Sequence, residues 1–386
     1  MWRHVYRLTS GKQIRRCLVV LFTLVSTIAV FCSISGCTSK PTELEHTSID
    51  LQHEMYSIAI SEDGQLIALG AKTDQARDDA SLLLLLNSQS LYFNGISTKL
   101  SQWVSQIEFV SNEFGFLLGC SIDPSVAGRE EWQIVPGRLE RFGLDGSREV
   151  IVDSIPSPIS SLSISPNRRL AAVCNSAATD ANSAVADENA IASCRFYSLD
   201  DGSLISTFVP QDPTKVKSLK AAFVDDMNFC LLITQPMHWA DRVDRHIHAY
   251  LVEANSGKVL QDAAIHDHSD ELYGLVSSPA TGEAFVAMNG EIGRFKVKDG
   301  KFEFEERFYM SSRPYWIDYH AGTGRLAVAV SNDRREMLSV QIVDVKTRTA
   351  FKTQINAAGP LRFAPDGKSL YILNRGVVKY ELGQLR

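Results

Sequence analysis

A ring of seven four-stranded antiparallel blades is the fold this chain predicts, an all-β seven-bladed β-propeller whose last blade is closed by an N-terminal strand. Three observations predict it. First, one pattern recurs about every 40–60 residues from Tyr56 to the C-terminus: an alternating strand, a polar turn and an apolar strand. The copies read SIAISEDGQLIALG from Ser57, QIEFVSNEFGFLLG from Gln106, SLSISPNRRLAAVC from Ser161, KAAFVDDMNFCLLI from Lys220, GLVSSPATGEAFVA from Gly274, WIDYHAGTGRLAVA from Trp316 and PLRFAPDGKSLYIL from Pro360. Second, a further strand and a tight hairpin follow most copies, which makes four short strands per repeat. Third, the last copy is one strand short, and a spare strand precedes the first.

Each element follows from its local pattern. The first strand alternates, with Ile58 and Ile60, Ile107 and Phe109, Leu162 and Ile164, Ala221 and Phe223, Ile317 and Tyr319, and Leu361 and Phe363 two apart. The second strand is a continuous apolar run, such as Leu326-Ala327-Val328-Ala329-Val330, which suits a strand packed between sheets on both faces. The hairpins that follow the third strand read LDGS at Leu144, LDDG at Leu199, NSGK at Asn255, KDGK at Lys298 and VKTR at Val345. Gly and Asp there supply the positive φ that tight turns need. The seventh copy holds only Leu361–Pro365, Ser369–Asn374 and Val377–Leu382. Thr47–Leu51 is expected to pair beside Val377–Leu382 and close the ring, leaving no exposed edge.

With these repeats in place, the chain resembles the WD-repeat and related bacterial seven-bladed propellers over nearly all of residues 46–386. The Gly-His and Trp-Asp dipeptides of the eukaryotic repeats do not occur in the copies. The resemblance therefore implies a fold and carries no ligand with it.

The leader predicts an address. Arg3, Arg7, Lys12, Arg15 and Arg16 precede the apolar run Cys17–Ile34, and no acid occurs before Cys37. Basic, then apolar, then small residues is a secretory signal layout. Ile34-Ser35-Gly36-Cys37 resembles the bacterial lipoprotein signal, which implies cleavage before Cys37 and acylation of its thiol. The expected organisation is a signal peptide over 1–36, a polar tether over 37–45 and a single propeller over 46–386. An uncleaved membrane helix is the competing reading, because the apolar run approaches the ~20 residues that span a bilayer. Both place the propeller on the extracytoplasmic side of a cell membrane or outer membrane.

Without the leader, 34 Lys and Arg face 45 Asp and Glu, a formal charge of −11. So acidic a chain, with no basic run after Arg16, makes a poor partner for phosphate backbones, and no nucleic-acid partner is expected. Connections between second and third strands are long in the first four copies: Ala71–Ala80, Ser121–Gly137, Asn175–Ser193 and Gln235–Arg245. They are short in the fifth and seventh, at Asn289–Glu291 and Arg375–Gly376, and modest in the sixth, at Ser331–Glu336. Insertions of this kind often map to a binding face. Trp132, Trp239 and Arg242 are the candidate anchors for a protein partner at the membrane surface, since Trp and Arg dominate hot spots. Cys174 and Cys194 flank the third insertion, and outside the cytoplasm they are candidates for a disulfide at its base.

One constellation points to chemistry. His238, His246, His248, His266 and His268 hold five of the nine histidines and stand among Asp241, Asp244, Asp267 and Asp270. Imidazole with carboxylate suits zinc or another divalent metal. No other cofactor is expected. No Gly-x-Ser-x-Gly elbow, His-Glu-x-x-His or glycine-rich phosphate loop occurs. Trp103, Trp132, Trp239 and Trp316 follow no period that would stack a planar quinone. The expected function is a membrane-anchored, non-catalytic protein-binding or assembly platform. The alternative is a metal- or cofactor-dependent hydrolase or oxidoreductase using the histidines of blades four and five.

Overall fold

The computed structural model describes residues 44–383 apart from 52–53, 73–80, 101–102, 112–113, 121–136, 157–158, 178–190, 227, 237–245, 267–270, 311–312, 332–337, 358 and 375. The described residues form 28 strands in seven four-stranded antiparallel sheets. Strand β1 (His46–Asp50) precedes blade 1, which holds β2 (Glu54–Ile60), β3 (Leu66–Lys72), β4 (Ser81–Asn87) and β5 (Phe93–Leu100). Blade 2 holds β6 (Trp103–Phe109), β7 (Phe114–Cys120), β8 (Gly137–Gly143) and β9 (Arg148–Ile155). Blade 3 holds β10 (Ile159–Ile164), β11 (Leu170–Asn175), β12 (Ser193–Ser198) and β13 (Leu204–Phe208). Blade 4 holds β14 (Val216–Phe223), β15 (Phe229–Pro236), β16 (Ile247–Glu253) and β17 (Lys258–His266). Blade 5 holds β18 (Leu272–Ser278), β19 (Glu283–Met288), β20 (Glu291–Lys298) and β21 (Lys301–Tyr309). Blade 6 holds β22 (Arg313–His320), β23 (Arg325–Ser331), β24 (Leu338–Asp344) and β25 (Thr349–Ala357). Blade 7 holds β26 (Leu361–Phe363), β27 (Ser369–Leu373) and β28 (Gly376–Glu381), with β1 as its fourth strand.

The ring closes through that fourth strand. β1 runs antiparallel to β28 with His46 opposite Tyr380 and Asp50 opposite Gly376, one residue N-terminal to the pairing expected on both strands. Glu381 donates its amide to the Glu45 carbonyl at 3.0 Å. Gly376 is required here, because a Cβ at this position would lie 1.9 Å from the Ile49 carbonyl oxygen.

The core lies between blades. Seven apolar clusters among the described residues fill the seven blade interfaces, including that between blades 7 and 1. Second strands serve two clusters at once. Leu326, Val328 and Val330 of β23 face blade 5, while Ala327 and Ala329 face blade 7. Alternate side chains of a strand leave opposite faces, so a strand between two blades is apolar at every position.

The inner edge of each blade cannot continue a sheet, so side chains of neighbouring blades satisfy it. Ser160 Oγ donates to the Leu219 carbonyl at 2.6 Å and Ser277 Oγ to the Phe223 carbonyl at 2.6 Å. The Phe223 amide donates to Ser163 Oγ at 3.2 Å, and the Phe363 amide to Asp318 Oδ2 at 2.7 Å. The polar turns are tied locally. Asp63 Oδ1 accepts from Ser61 Oγ at 2.7 Å and from the Gln65 amide at 2.9 Å, which holds its carboxyl below the ordinary carboxylate value. Donors from Ser198 and Ser203 draw Asp201 down to about 2 in the same way.

Candidate functional site

Inner strands of all seven blades run side by side in one sense around the axis, so their equivalent residues form rings. The third position of each copy is Ala59, Glu108, Ser163, Ala222, Val276, Asp318 and Arg362. Six of these seven, all but Ala59, line one cavity of about 320 Å³. The ring is lopsided. Glu108 of blade 2, Asp318 of blade 6 and Arg362 of blade 7 make a charged arc, and Ser163, Ala222 and Val276 of blades 3–5 make a small, mostly apolar arc opposite. The first-turn residues Glu62, Pro166, Arg168 and Pro279 also line the cavity, and Arg168 is ion-paired with Glu62.

Three acids therefore face two arginines around the lumen. Arg362 is shared between the others: its guanidinium nitrogens lie 3.7 Å from Glu108 Oε1 and 3.8 Å from Asp318 Oδ1. Both separations exceed hydrogen-bond length, so these are ion pairs with acceptor capacity left over. Asp318 uses part of its capacity on the Phe363 amide and so also helps to join blade 6 to blade 7. Glu108 accepts no hydrogen bond from any described residue. Its carboxyl stands above the ordinary value because burial disfavours the charge and Asp318 repels it, with Arg362 opposing. Burial raises Asp318 likewise, against Arg362 and two backbone amides. Protein surrounds both groups, yet 36% of the Glu108 side chain remains open, and what it opens onto is the lumen. The arrangement can hold one additional positive charge or one proton.

A second charged cluster, at the blade 5–6 boundary, is internally satisfied. Tyr319 donates to Glu283 Oε2 at 2.7 Å, and Arg294 pairs with Glu283 and lies 3.5 Å from Glu305. Burial raises the Glu283 carboxyl, but these donors outweigh it and leave it below its usual value. This cluster ties two blades together.

The residues expected from sequence are distributed differently. Cys37, Trp132, Trp239, Arg242, His238 and His268 lie outside the described residues. His246 immediately precedes β16 and His248 lies within it, both half-buried, with ring centroids 6.3 Å apart. His248 stacks on Tyr250, and His266 stands opposite Ile247 in the β16–β17 ladder. Among the described residues no three His, Cys, Asp or Glu converge in a way that could hold a metal ion. Cys174 and Cys194 face each other directly in the β11–β12 register. Both are buried free thiols, and they pack with Cys230 in the blade 3–4 interface. The long connections join second to third strands as expected, at 73–80, 121–136, 176–192 and 237–246. That end of the axis is opposite the first turns that line the cavity. Sequence reasoning missed Glu108, Asp318 and Arg362. The signal was in the aligned copies, where charge replaces a small residue between two apolar ones.

Comparison of the sequence with family models and with curated proteins finds no match. Among solved structures, the chain is similar to Kuenenia stuttgartiensis Hydrazine Synthase, with a TM-score of 0.60 at 12% identity. The match covers 91% of this chain and 99% of that one. The likeness is one of fold. No described helix is long and apolar enough to cross a membrane.

Proposed function

We propose that this protein is a membrane-anchored, extracytoplasmic propeller that serves as a non-catalytic protein-binding or assembly platform. One observation carries the reading. The long second-to-third-strand connections fall in blades 1–4, at 73–80, 121–136, 176–192 and 237–246, against 289–290, 332–337 and 374–375 in blades 5–7. Because all blades run in one sense, these connections leave the ring at one end and on adjacent blades. A rigid ring with elaborated loops on one side suits capture of a partner. The leader and Cys37 supply the anchor in this reading, and Trp132, Trp239 and Arg242 supply the contacts. Oxidation of the facing Cys174 and Cys194 thiols to a disulfide outside the cytoplasm would brace the base of the third connection.

The test replaces 121–136 or 237–246 with an Asn-Gly turn and compares capture of whatever protein the parent retains from detergent extracts. Each replacement leaves the far-ultraviolet spectrum unchanged and lowers capture at least tenfold, while shortening 332–337 has little effect. Loss of capture on the blade-6 change alone would place the working side elsewhere. Stoichiometric zinc in the purified protein, lost on His246→Ala, would replace the platform with a metal-dependent enzyme.

A further inference from the structure

We propose that the axial cavity is a binding site for a small organic cation, a primary ammonium or guanidinium group on a short hydrocarbon. Four observations lead there. The cavity, of about 320 Å³, sits at the lower end of the ~300–1,000 Å³ typical of ligand sites. Its lining carries Glu62, Glu108 and Asp318 against Arg168 and Arg362, one negative charge in excess. That excess belongs to the Glu108–Arg362–Asp318 arc, since Arg168 is already paired with Glu62. Glu108 accepts no hydrogen bond from a described residue, and Arg362 stands 3.7 Å away, too far to donate one. Across the lumen, Ala222 and Val276 present hydrocarbon.

The sign of the ligand follows from charge balance. A monocation beside Glu108 brings the arc to neutrality, whereas an anion on Arg362 would leave two carboxylates beside it uncompensated. The kind of cation follows from the donor set. Calcium takes six to eight oxygens. Here the oxygens are two carboxylates standing beside a guanidinium, and nearby hydroxyls are engaged, Ser163 Oγ with the Phe223 amide and Ser277 Oγ with the Phe223 carbonyl. An ammonium or guanidinium needs only acceptors for its N–H groups, which Glu108 and Asp318 offer, and a wall for its alkyl part. The site lies at the end of the axis opposite the long connections. Its occupancy therefore stands apart from partner capture, and either can fail without the other.

The experiment titrates the full chain in detergent with n-butylammonium, butan-1-ol, butyrate and calcium by calorimetry, at neutral pH and at pH 4. The cation binds at least tenfold more tightly than the isosteric alcohol, and butyrate and calcium do not compete with it. Glu108→Gln weakens it at least tenfold, Arg362→Met strengthens it, and Glu303→Gln, on the outer strand of blade 5, leaves it unchanged. Affinity falls at pH 4, where protons occupy the carboxylates. Equal binding of the alcohol, preference for butyrate, displacement by calcium, or no binding of n-butylammonium to a folded parent would each overturn the proposal. A Glu108→Gln melting temperature no lower than that of the parent excludes misfolding as the cause of weakened binding.

Discussion

Glu108 shows how a single position departs from its repeat. Its equivalents in blades 1, 3 and 4 are Ala59, Ser163 and Ala222, small side chains that suit a crowded axis. A carboxylate there is raised by burial and by Asp318, and the raised value has a definite consequence for stability. An acid with a higher value in the native state than in the unfolded one contributes stability below its unfolded value, near 4, and loses it as pH rises through the native one. In amine-free buffer, the parent should therefore lose melting temperature between pH 4 and neutrality relative to Glu108→Gln, which cannot ionise. Parallel melting curves for the two proteins would show that Glu108 is not perturbed. Arg362→Met tests the other member of the arc. Removing one partner of a fully buried ion pair costs ~3–5 kcal/mol. The openness of Glu108 to the lumen reduces the expected loss to about 1–2 kcal/mol at neutral pH, read by chemical denaturation. A larger melting temperature for Arg362→Met than for the parent would mean that the guanidinium is not what holds the two acids.

At the scale of the element, the strands were legible because their alternation is enforced by packing on both faces. Leu326 to Val330 reads as a buried strand because its odd and even positions face different blades. Closure was legible because a strand was missing from one end of the chain and present at the other. The bounds of the closing strand were legible to within one residue and its register was not, since Ile49 alone among the β1 side chains packs in the interface with blade 1, while His46, Thr47, Ser48 and Asp50 are exposed. Backbone fit fixes the register instead, at Gly376. A methyl group there would meet the Ile49 carbonyl at 1.9 Å, so Gly376→Ala must push β1 away from β28. Overpacking of this kind costs ~1–3 kcal/mol. Deleting His46–Asp50 should cost more, and should promote aggregation by exposing the β28 edge. A Gly376→Ala protein as stable as the parent would mean that β1 contributes little to closure. The charged arc was not legible by the same means, because one inner strand gives no sign of which blades share its ring. That requires the copies to be aligned and closed in space.

The propeller has two unlike ends. The long connections of blades 1–4 join second to third strands at one end of the axis, and the charged cavity opens towards the first turns at the other. Seven apolar interfaces hold the two ends in fixed relation, so a change at one should not reach the other. The described part of the ring begins at Leu44, which packs in the blade 6–7 core. If Cys37 carries the acyl chains, Cys37→Ser removes the only attachment besides the apolar run itself. A single chain binds a bilayer marginally and several hold it firmly, at ~0.8 kcal/mol for each buried CH₂. Cys37→Ser should therefore lose incorporation of labelled fatty acid, accumulate as the unprocessed chain, and keep the melting temperature of its propeller. It should also keep n-butylammonium binding unchanged, since the cavity is built from the inner strands and first turns of the blades. A parent protein that takes up no label and keeps residues 1–36 while remaining in the membrane fraction would identify the leader as an uncleaved helix. The ring would then be held at the membrane by a spanning segment, with the same two ends presented outside the cytoplasm.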